Sequence, residues 1–211
     1  MANSKSKSVV REWIESVLIA LLLAAFIRTY FVQPFKIPSG SMRMTLVEGD
    51  RLFVNKLRYG PKLLPEFFAV RQRQSLHVPD SWAQARLPGL SSPKRGDIVV
   101  FVFPQDHKRD FIKRLIALGG ETVEIKEGNI YINGQMTKIS GAENIYYYNE
   151  RGSSFGRPGQ KVTVPEGHYF VLGDNSKSSQ DSRYWGFVPQ DFVIGRAEFI
   201  FWPLSRLRVI K

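Results

Sequence analysis

Two serines in one short turn have the residue types that acyl-transfer chemistry requires. Ser39 and Ser41 flank Gly40, which allows the backbone to turn tightly. Such a turn can present one hydroxyl outward and leave its own N–H free. A serine nucleophile needs both, because the N–H stabilises the oxyanion that forms during attack. Taken alone, Ser-Gly-Ser is more often a plain loop.

Lys113 is the candidate base for such a nucleophile. It lies in Phe-Ile-Lys-Arg-Leu, residues 111–115, which we predict to be a strand. Side chains alternate along a strand, so Phe111, Lys113 and Leu115 share one face. Burial on an inward face lowers the pKa of the ammonium. An unperturbed lysine is only about 0.04% neutral at pH 7, and a pKa lower by about 2 gives a usable base. The alternative is a lysine that reaches solvent from an exposed face.

A third group of polar residues follows a predicted strand near the C-terminus. Gly173 permits a close backbone approach, and Asp174 comes directly after it. Ser179 supplies a small hydroxyl that can hydrogen-bond an amine and hold its orientation. Asp181 and Arg183 can form an ion pair that fixes the loop. The alternative is a structural loop with an Asx-turn and a surface ion pair.

The composition excludes several other chemistries. The chain has no cysteine, which excludes a Cys nucleophile, disulfides and thiolate metal sites. Its three histidines form no ligand-spaced pair, and we predict neither a metal nor another cofactor. The net charge of +11 suits either nucleic acid or anionic lipid. The N-terminal segment favours lipid, and we predict no nucleic-acid partner.

Residues 13–33 are predicted to form a transmembrane anchor that follows a cytoplasmic tail, residues 1–12. The mostly apolar stretch from Trp13 to Val32 has about 20 residues, which at about 1.5 Å each match a hydrocarbon core of roughly 30 Å. Pro34 is predicted to end the helix. Basic residues on the two sides balance, so the positive-inside rule does not fix the orientation. The alternatives are a buried helix of a soluble domain and a cleaved signal peptide, although no small-x-small cleavage site follows the run.

The rest of the chain is predicted to be mainly β, with an antiparallel sheet. Short strand-like runs separated by turns, without βαβ alternation, indicate this class. We predict strands at 50–55, 97–103, 111–118, 121–125, 129–132, 169–172 and 193–202. Residues 61–95 are interrupted by prolines. They are predicted to be a surface excursion with a short helix around 81–86. The aromatic residues of this excursion would either touch a bilayer or pack on the core.

In their order, these motifs resemble the bacterial type I signal peptidases. The resemblance rests on QPFKIPSGSMRMTLVEGDRLFVNK at 33–56, Arg-Gly-Asp at 95–97, FIKRLIALGGETVEI at 111–125 and VPEGHYFVLGDNSKSSQDSRYWGFVP at 164–189. It extends from the anchor to the last strand. The chain departs from the family at Met44, where proline is usual. It departs again at Ser176 and Lys177, where arginine and aspartate are usual.

The resemblance implies a role for each motif. Ser41 is expected to be the nucleophile and Lys113 the general base. Ser39 and the Ser41 N–H are expected to form the oxyanion hole, and Ser179 to orient the lysine amine. No metal or cofactor is implied. The supporting loop is expected to contain Gly173, Asp174, Asp181 and Arg183.

The resemblance also implies a fold, a substrate and a location. The catalytic β core would comprise residues 34–118 and 166–211, with a small inserted β domain at 119–165. The enzyme would remove signal peptides from exported preproteins with small residues at the first and third positions before the cut. It would have a single span in the bacterial cytoplasmic membrane and contact phospholipid. Its catalytic part would lie on the non-cytoplasmic, periplasmic side, in proximity to the secretion translocon.

Three other functions are weighed against this one. A self-cleaving Ser/Lys repressor is disfavoured by the apolar anchor and by the lack of a helix-turn-helix pattern. A Ser-His-Asp hydrolase would use His168, but the Gly-x-Ser-x-Gly elbow is missing. An inactive membrane-bound scaffold of the same fold is disfavoured because every expected catalytic group is present.

Overall fold

The computed structural model describes residues 9–64, 82, 85–149 and 152–210 of the chain. Helix α1 (Val9–Tyr30) comes first. The strands of the described residues are β1 (Val32–Lys36), β2 (Arg51–Asn55), β3 (Ile98–Val102), β4 (Asp110–Ala117), β5 (Thr122–Lys126), β6 (Asn129–Ile132), β7 (Gln135–Met136), β8 (Lys161–Thr163), β9 (His168–Leu172), β10 (Val188–Pro189), β11 (Val193–Trp202) and β12 (Arg208–Val209). Short helical turns lie at Gly40–Met42, Ser176–Ser178, Ser182–Trp185, Gln190–Phe192 and Leu204–Arg206.

Helix α1 has 22 residues and buries none of them. Its apolar side chains, Trp13, Leu22 and Phe26 among them, are exposed. Among the helices in the described part of the chain, none is sufficiently long and apolar to cross a membrane. The predicted transmembrane anchor at residues 13–33 is therefore not confirmed.

The helix also ends earlier than the sequence predicts. It stops at Tyr30, because Val32 already pairs with Asn55 in a strand that the sequence did not reveal. Pro34 lies inside that strand, β1, and not at the end of the helix. A proline is tolerated there because β1 is an edge strand, where a missing N–H removes no ladder hydrogen bond.

The larger sheet has eight strands in the order β1-β2-β11-β3-β4-β9-β10, with β12 paired to β11. All its pairs are antiparallel, which confirms the predicted mainly β class. Each predicted strand forms, with ends that differ by at most two residues from those predicted. Strand β4, which carries Lys113, lies between β3 and β9, near the centre of the sheet.

Strand β4 is buried on both faces over most of its length. Ile112 and Leu115 pack in one hydrophobic cluster with β3 and β11. Ile116 and Ala117 pack in a second cluster. The alternating pattern predicted one buried face, but the sheet lies between two apolar layers, so Arg114 is as inaccessible as its neighbours.

A second sheet, β7-β6-β5-β8, has four strands and lies within the predicted insert. Its β5–β6 hairpin has the predicted position, and Val123 pairs with Ile132. These residues share one apolar cluster with Ile116 and Phe170 of the larger sheet. The two sheets therefore pack against each other through a continuous core. The limits of the inserted domain, 119–165, stay a prediction.

The predicted surface excursion at 61–95 is described only at its two ends. Lys62 forms an isolated bridge with Arg86, and the N–H of Leu63 donates to the carbonyl of Ala85. Trp82 is exposed. The rest of the helix predicted around 81–86 lies mostly outside the described residues.

Candidate active site

Lys113 and Ser41 meet in the structure although 72 positions separate them in the chain. Lys113 Nζ donates to Ser41 Oγ at 2.8 Å and to the carbonyl oxygen of Ile112 at 2.9 Å. A distance of 2.8 Å is within reach for proton transfer between a base and a nucleophile. The two sequence candidates for nucleophile and base are thus brought together by the fold.

Burial sets the protonation of Lys113. Its side chain is only 3% exposed, and desolvation lowers its pKa from 10.5 to about 8. The negative charges of Asp181 and Asp174 act in the opposite direction, and Arg183 adds to the lowering. The loss of hydration of the ammonium therefore outweighs the attraction of the two carboxylates. At pH 7 about one lysine in ten is then neutral.

The turn that carries Ser41 is held by the loop after β9. The N–H of Asn175 donates to the carbonyl oxygen of Ser41 at 3.0 Å, and Asn175 Nδ2 donates to that of Gly40 at 2.9 Å. A buried methionine, Met42, packs beneath the turn. Gly173 permits this approach, since a Cβ at its position would meet the Ser41 carbonyl oxygen at 2.6 Å.

A buried ion pair fixes the base strand to the same loop. Arg114 Nε and Nη2 donate to the two oxygens of Asp174 at 2.9 and 2.7 Å. Both side chains are inaccessible to solvent, and Thr45 Oγ1 donates to the same carboxylate at 2.5 Å. Bidentate geometry of this kind fixes orientation as well as charge. Asp174 thus links two residues that follow the base and the nucleophile in the chain, Arg114 directly after Lys113 and Thr45 shortly after Ser41.

A second buried ion pair closes the loop. Arg183 Nε and Nη2 donate to the carboxylate oxygens of Asp181 at 2.8 and 2.7 Å. The Gly173 N–H donates to the same carboxylate at 3.0 Å. The pair predicted between Asp181 and Arg183 is present, and the structure buries it where the alternative placed it at the surface. Asp181 also begins the helical turn Ser182–Trp185 by accepting from the Arg183 N–H.

The two remaining predicted site serines, Ser179 and Ser39, both lie at the site. Ser179 is 4% exposed, and its Oγ has no hydrogen-bond partner among the residues that the structure describes. It packs against Gly173, where an added Cβ would lie 2.1 Å from this Oγ. Ser39 is exposed with extended backbone next to the Gly40–Met42 turn. Both roles stay predictions.

The pair of Ser41 and Lys113 opens into a cavity of about 600 Å³. The lining of the cavity is largely apolar, and Phe35 and Ile112 contribute to its wall. Its other lining residues are Pro38, Ser39, Gly40, Arg109, Asp110, Phe111, Ser178 and Gln180. A reacting group of an extended peptide can enter it and reach both Ser41 Oγ and Lys113 Nζ.

Three residues of the site were not assigned a role from the sequence. Asn175 and Arg114 lie inside the motifs that carry the family resemblance. Their positions next to Asp174 and Lys113 were the sequence signal that could have indicated a role for them. Thr45 carried no signal, because its hydroxyl matters only through a carboxylate 129 positions away. In the described residues no group of three His, Cys, Asp or Glu side chains is arranged to hold a metal.

Comparisons with known proteins identify the family of the chain. The family model described as signal peptidase, peptidase S26 matches residues 10–202. Signal peptidase I of Pseudomonas aeruginosa is 33% identical over 91% of this chain and 73% of its own length. That of Aquifex aeolicus is 32% identical over 92% of this chain and 84% of its own. Signal peptidase I T of Bacillus subtilis is 33% identical over 98% and 93%, respectively.

The family match and the relatives named signal peptidase I place this chain, with its mainly antiparallel β core, in the class of serine endopeptidases. The family model covers nearly the whole chain, and the relatives are matched over 91–98% of it. The chain therefore belongs to the signal peptidase family, peptidase S26.

Proposed function

We propose that this chain removes signal peptides from exported preproteins, with Ser41 as nucleophile and Lys113 as general base. The observation that carries the proposal is the 2.8 Å contact between Ser41 Oγ and a lysine whose pKa is lowered to about 8 by burial. An amine in this state accepts a proton near neutral pH. The relatives named signal peptidase I supply the substrate class.

Acylation begins when neutral Lys113 takes the proton of Ser41 Oγ. The oxygen then forms a bond to the scissile carbonyl carbon, and the carbonyl electrons move to its oxygen. When the tetrahedral intermediate collapses, the C–N bond breaks and the Lys113 ammonium protonates the leaving amine. The product of this half-reaction is an ester between Ser41 and the signal peptide.

Deacylation repeats these proton transfers with water. Lys113, neutral again, takes a proton from a water molecule that attacks the ester carbonyl. Collapse of the second intermediate returns this proton to Ser41 Oγ and releases the signal peptide. The oxyanion of both intermediates would be stabilised by the Ser41 N–H and the Ser39 hydroxyl, residues that line the cavity together.

The preprotein would bind as an extended strand along β4. This strand pairs with β9 only from Arg114 onward, while residues 110–113 pair with β3 on the other side. No described strand pairs with 110–113 on the cavity side, so a peptide can hydrogen-bond there. Phe35 and Ile112 line the same cavity as Ser41, and apolar walls of this kind favour small residues before the cut.

Cleavage of a purified preprotein by the full chain tests the proposal. Wild type should release the signal peptide, while Ser41→Ala and Lys113→Met should each lose at least about a thousandfold in kcat. Ser154→Ala, at an exposed serine, is the matched control. Full activity in either dyad variant would show that another pair of groups performs the reaction.

The pH dependence of kcat/KM gives an independent test of the base. Because only neutral Lys113 accepts the proton, the rate should rise with pH and level off above the pKa of about 8. A histidine-based enzyme would level off nearer pH 6.5. A profile without an ionisation near pH 8 contradicts the role of Lys113.

We also propose that α1 binds phospholipid and that the catalytic part lies on the non-cytoplasmic side of the membrane. The support is the set of exposed apolar side chains along α1 and the net charge of +11, which suits an anionic lipid surface. A single membrane span and proximity to the secretion translocon are part of this proposal as well.

Single cysteines test the location, because the natural chain has none. Asn144→Cys lies at an exposed position in the region of the second sheet. It should react with an impermeant maleimide in spheroplasts, in which the outer membrane is removed and the cytoplasmic membrane is intact. Ser4→Cys in the N-terminal tail should react only after lysis if the chain spans the membrane. Equal protection of both cysteines would contradict the proposed side.

A further inference from the structure

The loop segment around Tyr148 is anchored to the second sheet. The N–H of Tyr147 donates to the carbonyl oxygen of Gly128 at 3.0 Å. Asn149 Nδ2 donates to the carbonyl oxygen of Ile125 at 2.8 Å. Residues on both sides of Tyr148 are thus bound to the β5–β6 hairpin, and the backbone of Tyr148 is presented toward the larger sheet from a fixed position.

Ser176 accepts a hydrogen bond from the backbone of this segment. The N–H of Tyr148 donates to Ser176 Oγ at 2.8 Å, and Arg183 Nη1 donates to the same oxygen at 2.9 Å. Arg183 Nη1 also donates to the Tyr148 carbonyl oxygen, and its Nη2 donates to the Ser176 carbonyl oxygen at 2.8 Å. Ser176 is 6% exposed and Arg183 is 1% exposed, so this junction is built into the interior.

Lys177 adds a second contact from the solvent side. Its Nζ lies 4.5 Å from the centre of the Tyr148 ring, a distance at which a cation and an aromatic face attract each other. The Ser176 hydroxyl and the Lys177 ammonium therefore hold the same tyrosine, one through its backbone and the other through its ring.

The segment closed by these contacts, residues 176–183, forms one wall of the candidate active site. Ser178 and Gln180 line the cavity, and Ser179 is buried against Gly173. Asp181 and Arg183 belong to the charges that act on Lys113. A shift of this segment would change both the shape of the cavity and the surroundings of the base.

We propose that Ser176 and Lys177 are positioning residues that hold the catalytic loop 176–183 against the second sheet through Tyr148. The second sheet holds the loop in place, and the loop in turn keeps water away from Lys113 and keeps Ser178 and Gln180 in the cavity wall. The inference rests on the proposed function, because the reaction that the loop supports is the one carried out by Ser41 and Lys113.

Loosening the junction has a defined effect on the base. The charged groups that act on Lys113 are Asp181, Asp174 and Arg183. Without the Ser176 hydroxyl, the junction loses the bonds from the Tyr148 N–H and from Arg183 Nη1. The loop then loosens and water reaches the ammonium, so the pKa of Lys113 moves back toward 10.5. The rise of kcat/KM with pH then shifts to higher pH.

Two matched pairs of variants test the proposal in the full chain. Ser176→Ala removes the hydroxyl and Ser176→Thr keeps it; Lys177→Met removes the cation and Lys177→Arg keeps it. The control for the buried serine is Ser153→Ala, since Ser153 is also fully buried and its Oγ has no partner among the described residues. The control for the lysine is Lys126→Met, at an exposed end of β5.

The first readout is amide hydrogen exchange of residues 176–183 without substrate, and the second is preprotein cleavage across pH. Ser176→Ala should exchange faster, lose about tenfold in kcat/KM at pH 7, and shift the pH profile upward by about half a unit or more. Lys177→Met should lose about threefold. The threonine and arginine variants should recover most of each loss.

Unchanged exchange and an unchanged pH profile in Ser176→Ala overturn the proposal, as does an equal loss in Ser153→Ala. If Ser176→Ala does not fold, the test rests on the two variants of the exposed Lys177. Equal activity of Lys177→Met and Lys177→Arg overturns the role of the lysine charge. If wild type cleaves no preprotein, the proposed function fails, while the exchange comparison still decides whether Ser176 holds the loop.

Discussion

The backbone N–H of Asn175 donates to the carbonyl oxygen of Ser41 at 3.0 Å. Through this bond the loop after β9 fixes the turn that carries the nucleophile. The same loop carries Asp174, which binds the arginine next to the base. One segment therefore positions nucleophile and base together, and several of its contacts can be tested separately.

The side chain of Asn175 should contribute to catalysis by holding the Ser41 turn. Asn175→Ala removes the bond from Nδ2 to the Gly40 carbonyl oxygen and leaves the backbone bond in place. Because one hydrogen bond contributes about 1 kcal/mol, we expect kcat to fall about five- to tenfold. Steady-state cleavage measures the effect, and Asn144→Ala, at an exposed asparagine, is the control. A kcat equal to that of wild type would contradict the prediction.

Replacing the base should make the protein more stable at neutral pH. The pKa of Lys113 is about 8 in the folded protein against an ordinary 10.5, so unfolding at neutral pH relieves a buried charge. Lys113→Met removes this cost, on the order of 3 kcal/mol, and loses the hydrogen bonds of Nζ. We expect the free energy of unfolding at pH 7 to rise by about 1 to 3 kcal/mol, measured by urea denaturation.

The same lysine predicts how wild-type stability depends on pH. Between about pH 8 and 10.5 the unfolded chain keeps the Lys113 proton while the folded protein has lost it, so stability from this group rises with pH. The advantage of Lys113→Met should therefore shrink as pH approaches 10.5. Lys126→Met, at an exposed lysine, should show no such trend. A methionine variant that is less stable than wild type at pH 7 would refute both expectations.

The Arg114–Asp174 ion pair should behave as a single unit. Asp174→Leu leaves the fully buried guanidinium of Arg114 without its carboxylate, and we expect a loss of about 3 to 5 kcal/mol in the free energy of unfolding. Adding Arg114→Met removes the buried guanidinium as well and should restore part of this loss. A double-mutant cycle measures the coupling. Additive losses would show that the two side chains do not depend on each other.

Glycine at position 173 should be required for activity. A Cβ there would lie 2.1 Å from Ser179 Oγ and 2.6 Å from the Ser41 carbonyl oxygen. Gly173→Ala must therefore displace the nucleophile turn or the loop, and a displacement near 1 Å can cost about 100-fold in rate. Gly152→Ala, where nothing lies within 4 Å of an added Cβ, should be nearly neutral. Equal kcat values for the two variants would rule out this steric account.

Much of the fold follows from local patterns in the sequence. The β-branched and aromatic run at 97–103 became β3, and the closing run became β11 with its predicted ends. Strand β1 was missed because Pro34 signals a helix end more strongly than an edge strand. The membrane span was predicted from length and apolar content alone, and the described helices do not confirm it.

The residues that depart from the family pattern make contacts that the local sequence does not predict. The resemblance would place arginine and aspartate where this chain has Ser176 and Lys177. In the structure both residues contact Tyr148. The contact depends on a loop that is anchored to the second sheet, and no motif around Ser176 reveals that partner.

The sequence by itself determined the chemical types: a serine in a glycine turn, a lysine within a strand, and an acidic loop with its arginine. Only the tertiary structure decided that Ser41 and Lys113 lie 2.8 Å apart and that Arg114 pairs with Asp174. The physical reason is that reactivity here depends on desolvation and on contacts across many positions of the chain. Local propensity specifies the strands, but the pKa of Lys113 is set by packing on both faces of β4 and by charges contributed from a distant loop.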